Sequence, residues 1–239
     1  MKKICVLLAS VFLFFASNAF AAITINVYDS TDTTNINNWK TNLGGIEKVL
    51  EDFEDIPTGW YQNTSTGVGT FTAGGEIGLG SSSYNKVNNL NSSDPYFRIF
   101  DQENFGREGQ NYLDSADISE LTLDITPNLT NLWFYIQDPS DIGADTNIKV
   151  GYGSNSLFYE TIEYKQDNSK EFFVGISVTG DGQNIKQLIW ETTDAASPEL
   201  AFQDDGYRID NFSTAVPIPG AALLLASGLL GLGWVKKRS

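Results

Sequence analysis

Leu132-Trp133-Phe134-Tyr135-Ile136-Gln137 is the run that decides the fold class. It is rich in the aromatic and branched residues that favour β-strands. Its four central residues are all apolar, so both faces of the predicted strand are apolar. A strand of this kind is typical of the middle of a sheet that is covered on both sides. The run therefore predicts the central strand of a layered β-structure.

Seven further runs in the second half of the chain have the same β-rich composition. They are Pro95–Phe100, Leu121–Thr126, Asn147–Tyr152, Leu157–Tyr164, Glu171–Val178, Ile185–Glu191 and Tyr207–Phe212. Gly180-Asp181-Gly182 lies between two of them, where it predicts a hairpin turn. Many short strands separated by Gly, Asn and Asp predict an all-β fold, an antiparallel β-sandwich of jelly-roll type.

The first half of the chain is less regular. Spaced apolar residues predict one short helix, over Asp32–Leu43, that ends at Gly44-Gly45. Strands are predicted at Ile23–Tyr28, Ile46–Phe53, Val68–Ala73 and Glu76–Leu79. The segment Asn63–Asp94 is rich in Gly, Ser and Asn, which predicts long surface loops around the last two of these strands.

The first 21 residues have the three parts of a secretory signal peptide. Lys2 and Lys3 precede an apolar run, residues 4–16, that is too short to span a membrane stably. Ala19-Phe20-Ala21 is a cleavage site of the small-x-small type, so we expect the mature chain to start at Ala22. The predicted organisation is a leader over 1–21, an exported β-sandwich domain over 22–213 and a tail over 214–239.

The tail combines prolines, an apolar segment and a basic end. Gly220–Val235 is 16 residues without a charge, which is about 24 Å of helix at roughly 1.5 Å per residue. The hydrocarbon core of a bilayer is about 30 Å thick, so this transmembrane helix is predicted to use flanking residues as well. Trp234 is an interfacial aromatic residue, and the terminal Lys236, Lys237 and Arg238 would stay on the cytoplasmic side. The alternatives are a buried helix of a soluble domain and a plain membrane anchor that is not processed.

This order of features resembles the PEP-CTERM sorting signal of Gram-negative bacteria. The counterparts are the sorting motif Val216-Pro217-Ile218-Pro219, the anchor residues Gly220, Ser227, Gly228, Trp234 and Val235, and the basic stop Lys236-Lys237-Arg238. Ile218 replaces the central Glu, as in the Val-Pro-x-Pro variant of the signal. The resemblance implies handling by an exosortase-type enzyme at the inner membrane. The domain would then reach the cell surface or the extracellular matrix.

Charge and composition exclude several functions for the predicted domain. All 30 acidic residues but only ten of the 15 basic ones lie in residues 22–213, so its net charge is about −20. Such a field repels nucleic acid, which excludes it as a partner, although acidity also serves solubility alone. The one cysteine, Cys5, lies in the leader, and the sequence has no histidine. Ser-His-Asp and Cys-His catalysis are therefore excluded.

The predicted domain also resembles the sandwiches often found ahead of such sorting tails. The matching segments are Glu51-Asp52-Phe53-Glu54, Leu132–Asp138 and Gly206–Phe212. This second resemblance implies two ligands, carbohydrate and a structural calcium ion. No other cofactor is expected.

Two sets of carboxylates are candidates for that calcium. The loop Asp138–Asp145 offers Asp138, Asp141 and Asp145, and oxygen ligands of this kind suit calcium, although a solvated turn is the alternative. Asp52 and Glu54 would share one face of their strand. Asp210 on the last strand would join them if the first and last strands pair.

Two functions from different classes remain. The first is a non-catalytic exported protein that binds or organises exopolysaccharide in the cell-surface or biofilm matrix. The second is a surface glycan hydrolase with a carboxylate pair, for which Glu160, Glu163, Asp204 and Asp205 are the candidates. The first is favoured, because pairs of acids arise by chance in so acidic a chain.

Overall fold

In the computed structural model, most of the chain between the two terminal segments forms two packed antiparallel sheets. The structure describes residues 22–77, 94–101, 111–115, 118–138, 144–153, 158–163, 170–180, 182–194 and 206–217. Within them, the fold is mostly β and sandwich-like, as predicted. The leader and the tail beyond Pro217 lie outside the described residues.

The described elements are one helix and fourteen strands. They are β1 (Ala22–Asp29), α1 (Thr33–Leu43), β2 (Ile46–Glu51), β3 (Gly59–Tyr61), β4 (Asn63–Ser65), β5 (Gly69–Ile77), β6 (Phe97–Asp101), β7 (Asn111–Asp114), β8 (Ile118–Leu129), β9 (Asn131–Gln137), β10 (Ala144–Gly153), β11 (Phe158–Glu163), β12 (Glu171–Thr179), β13 (Asn184–Asp194) and β14 (Arg208–Val216). The first sheet has the order β1-β12-β9-β14-β7-β6-β3, with β2 paired to β14. The second has the order β11-β10-β13-β8-β5-β4.

The predicted central strand, β9, does lie inside the first sheet, between β12 and β14. Its side chains alternate between two cores. Phe134 and Ile136 enter the main core between the sheets. Trp133 and Tyr135 face the other way, into a smaller core under α1. Both faces of this strand are therefore covered, which is why the whole run is apolar.

Helix α1 covers the outer face of the first sheet at this point. The Asp32 side chain accepts a hydrogen bond from the Asn35 amide and caps its start, and Gly44 follows its end. The buried Trp39 packs edge-on against Trp133, with ring centroids 5.8 Å apart. A Cβ on Gly175 would lie 2.8 Å from the Trp39 ring, so a glycine is required beneath it.

Several predicted boundaries and one connection were wrong. β2 ends at Glu51, because Phe53 adopts a left-handed φ of 60°. The two strands predicted around Gly75 are one, β5, with an irregularity between Gly74 and Ile77. β3, β4 and β7 were not predicted, since they are only three or four residues long.

The segment Gly180–Gly182 does not close a hairpin. The strand before it, β12, belongs to the first sheet, and the strand after it, β13, belongs to the second. Positive φ values of 120° at Gly180 and 71° at Gly182 let the chain turn between the two layers. The turn was predicted correctly, but the prediction that it joins two paired strands of one sheet was wrong.

Candidate functional site

The outer face of the second sheet carries a largely polar surface. In its strands, buried residues such as Leu121, Leu123 and Leu188 alternate with less buried ones that point away from the core. We call the outward set the polar face. Among the described side chains it includes Asn63, Ser65, Thr70, Thr72, Glu120, Thr122, Asp124, Asn128, Asn147, Lys149, Tyr159, Thr161, Lys186, Gln187, Ile189 and Glu191.

Strand register arranges one row of this face across all six strands. The row reads Tyr159, Gly151, Gln187, Asp124, Thr70 and Ser65, each residue paired with the next. These residues lie far apart in sequence. Their alignment comes from the pairing of β11, β10, β13, β8, β5 and β4.

The aromatic ring of Tyr159 lies over Gly151 at one end of the row. A Cβ added to Gly151 would come within 3.1 Å of Tyr159 Cε1 and within 3.2 Å of Gln187 Cβ. The glycine thus leaves room for the ring to lie against the sheet. Tyr159 nevertheless keeps 47% of its surface exposed. It is an aromatic platform open to solvent.

Two hydrogen bonds hold this platform in place. Tyr159 Oη donates to Gln187 Oε1 at 2.8 Å, and Gln187 Nε2 donates to Asp124 Oδ1 at 2.7 Å. The three side chains come from β11, β13 and β8. The geometry of the ring is therefore set before any ligand arrives.

The next rows carry most of the charge of the face. Lys149 Nζ donates to Glu191 Oε1 at 2.5 Å. Glu120 lies opposite Glu191 on β8 and accepts from Thr122 Oγ1 at 3.4 Å. Among the described side chains, the face thus carries three carboxylates, counting Asp124, and two ammonium groups. Lys149 is paired with Glu191, and Lys186 Nζ donates to Asn128 Oδ1 at 2.9 Å.

Two cavities lie elsewhere, beside β2. One of about 420 Å³ is lined by α1 and β2, and there Lys40 forms an ion pair with Glu47 at 3.0 Å. The other, of about 500 Å³, includes Glu51. The Glu51 carboxylate accepts hydrogen bonds from the Phe53 and Gly67 amides, each at 2.7 Å. The charged groups in both cavities thus stabilise the fold itself.

The predicted calcium ligands are not brought together as expected. Asp52 and Glu54 follow the end of β2, where Asp52 Oδ1 accepts from the Glu54 amide at 3.3 Å and Glu54 Oε1 accepts from the Asn111 amide at 2.8 Å. β14 pairs with β2, whereas the first strand, β1, pairs with β12. Asp210 on β14 is buried, and its carboxylate accepts from the Asn211 amide at 2.7 Å.

No group of three or more acidic residues in the described part of the chain could hold a metal ion. Asp52 and Glu54 lie in a turn rather than on a strand, and the described structure does not group them with Asp210. The loop site stays a prediction, since Asp141 and the side chain of Asp145 lie outside the described residues. Asp138 is described and has a left-handed φ of 56°.

The other predicted sites fall mostly outside the described residues. These include Ala19, Ala21, the tail from Ile218 onward, Asp204 and Asp205, and the side chain of Glu163. Glu160 is described and exposed on β11. Within the described ranges, no helix is long and apolar enough to cross a membrane.

The polar face itself was not predicted from the sequence. Strands were predicted at five of the six positions in its sheet, and only β4 was missed. What the sequence could not show is that Tyr159, rather than another of the ten tyrosines, lies exposed on this face.

No family model and no curated protein matches the sequence. Some solved carbohydrate-binding modules resemble the fold distantly. The family 22 module of Clostridium thermocellum Xyn10B superposes with a TM-score of 0.35 at 13% identity, over 50% of this chain and 82% of that one.

Two other modules overlap more of the chain. The CBM22-1 xylan-binding domain of Paenibacillus barcinonensis Xyn10C superposes with a TM-score of 0.34 at 13% identity, over 73% of this chain and 97% of that one. The family 11 module of Clostridium thermocellum, solved with a mixed-linked tetrasaccharide, superposes with a TM-score of 0.32 at 12% identity. The match covers 73% of this chain and 98% of that module. At scores this low, the likenesses establish neither a shared family nor a shared site.

Proposed function

We propose that this chain is an exported, non-catalytic protein of the cell surface or extracellular matrix. Its sandwich, of jelly-roll type, binds polysaccharide on the polar face. The observation that carries this proposal is the exposed Tyr159 ring, held over Gly151 and fixed by Gln187.

The chemistry of the polar face suits sugars. A sugar ring has an apolar side, which packs on an aromatic ring, and hydroxyl groups that donate and accept hydrogen bonds. The polar face offers both kinds of contact within one row. Tyr159 supplies the apolar surface, while Gln187, Asp124 and Thr70 supply hydrogen-bonding groups beside it.

Binding is favoured over hydrolysis by the state of the carboxylates on this face. Asp124 accepts from Gln187, and Glu191 is paired with Lys149. A glycosidase instead needs one acid to protonate the leaving group and one to act as base or nucleophile, on either side of the scissile bond. The groups here are arranged as hydrogen-bonding partners in rows along a sheet.

Export and sorting complete the proposal. In it, the leader is removed before Ala22, and the tail is handled as a PEP-CTERM-type signal with exosortase and the inner membrane as partners. The geometry of the termini supports it. Ala22 pairs with Thr179, and the Asn131 side chain, at the same end of the sheet, accepts from the Ala215 amide at 2.6 Å. The described chain therefore begins and ends at the same end of the first sheet.

Cell fractionation tests the export part. We expect a chain that starts at Ala22, found in the envelope or released to the medium, with its bulk accessible to protease added outside spheroplasts. Full-length chain in the cytosol with Met1 attached would contradict both the leader and the sorting tail.

Replacing Tyr159 by alanine tests the binding part. We expect affinity for bound polysaccharide to fall by at least about tenfold, because the stacking surface is removed. The matched control is Phe158→Ala, since Phe158 is the neighbouring exposed aromatic residue, at 56%, and lies on the opposite face of β11. Affinity gel electrophoresis on a set of polysaccharides measures both variants. Equal losses in the two variants would rule out the polar face as the binding surface.

A further inference from the structure

We propose that the ligand of the polar face is an uncharged polysaccharide whose chain lies across the strands. This inference rests on the proposed function and names its substrate class. It follows from the charges of the face, the direction of its polar row and the open ends of that row.

The charges select against acidic polymers. Glu120, Asp124 and Glu191 place three carboxylates on the face. Of the two ammonium groups described there, that of Lys149 is paired with Glu191 at 2.5 Å, and that of Lys186 donates to Asn128 Oδ1 at 2.9 Å. Uronate or sulfate groups brought to this surface would meet like charges, in a domain whose net charge is already about −20. Neutral hydroxyl groups would instead donate hydrogen bonds to the same carboxylates.

The direction of the bound polysaccharide follows from the direction in which polar side chains form an unbroken line. Along β13, the outward residues are Gln187, Ile189 and Glu191, so an apolar side chain interrupts that line. Across the strands, Tyr159, Gln187 and Asp124 are joined by hydrogen bonds, and Thr70 and Ser65 continue the row. Six strands at about 4.8 Å spacing make this row roughly 24 Å long.

Both ends of the row are open within the described structure. β11 pairs with β10 alone and β4 with β5 alone, so these are the edge strands of the sheet. A polymer can therefore continue beyond either edge. That geometry suits an internal stretch of a long chain rather than a chain end.

The test measures the affinity of the purified full chain, in detergent, for polymers that differ in charge. The probes are a linear neutral glucan, a linear neutral xylan and polygalacturonate, each at low and at physiological salt. We expect the neutral polymers to bind at least about tenfold more tightly than the polyuronate at low salt, where repulsion is least screened. Neutral oligomers should gain affinity with length until they span roughly 24 Å.

A charge variant gives the second arm. Glu120→Gln with Glu191→Gln removes two carboxylates and releases Lys149. We expect the ratio of polyuronate affinity to neutral-polymer affinity to rise by about tenfold in this double variant, because like-charge repulsion is removed from the face. A thermal melt shows that it is folded.

The possible failures are distinct. Polyuronate binding equal to or tighter than neutral binding in the parent chain would overturn the charge inference while leaving polysaccharide binding intact. Affinity that does not change with oligomer length would overturn the placement across the strands. If no polymer in any charge class binds, the proposed function falls, and this inference falls with it.

Discussion

Replacing Phe134 by alanine is expected to destabilise the chain by about 3–5 kcal/mol, the usual cost of removing a buried phenylalanine from a core. Phe134 is fully buried on the central strand β9. Its ring stacks on Phe212 at a centroid distance of 5.1 Å and meets Trp190 edge-on at 5.5 Å. These two partners come from different sheets, so the cavity would open between the layers.

Urea denaturation followed by tryptophan fluorescence measures this loss. Phe158→Ala is the matched control, because Phe158 is also a phenylalanine on a strand but is 56% exposed. We expect the control to change the free energy of unfolding by less than about 1 kcal/mol. A small effect of Phe134→Ala would mean that the sheets do not pack through this aromatic cluster.

Glu51→Ala is expected to cost about 3–5 kcal/mol, for a different reason. The Glu51 side chain is 9% exposed, and its two oxygens accept from the Phe53 and Gly67 amides at 2.7 Å each. Hydrogen bonds to a charged group contribute about 1.5–3 kcal/mol each, and alanine would remove both, leaving the buried Phe53 amide without this acceptor. The two lost hydrogen bonds lie where the end of β2 contacts the turn before β5.

Glu51→Gln separates charge from shape. Glutamine keeps one acceptor oxygen but presents an NH₂ group where the second amide needs an acceptor. We expect its free energy of unfolding to lie between those of the parent and Glu51→Ala. If both variants unfold at the parent's urea concentration, the two hydrogen bonds do not contribute to stability.

Some features of this protein depend on local pattern, and those were predicted well. The all-apolar run around Phe134 identified a strand that is covered on both faces. Asp32 and Gly44 marked both ends of the helix, because capping needs only residues close in sequence. The leader and the sorting tail were likewise read from order and composition alone, and they stay predictions.

Features that depend on partners distant in sequence were predicted poorly. Asp52 and Glu54 were predicted to lie on a strand, but the chain turns at Phe53, directly after β2. There the Glu51 carboxylate accepts a hydrogen bond from the amide of Gly67, sixteen residues further along the chain. Similarly, nothing near Gly180 indicates that the strands on either side of it pair in different sheets. Register between strands is decided by the whole set of pairings and not by any one segment.

The sequence by itself determined the layered β architecture, the central strand, the helix and an acidic domain without histidine. Only the tertiary structure decided that Tyr159, Gln187 and Asp124 form one row. The physical reason is that alternation along a strand fixes which residues share a face of that strand. Which strands lie side by side, and at what register, depends on the packing of both sheets around a common core.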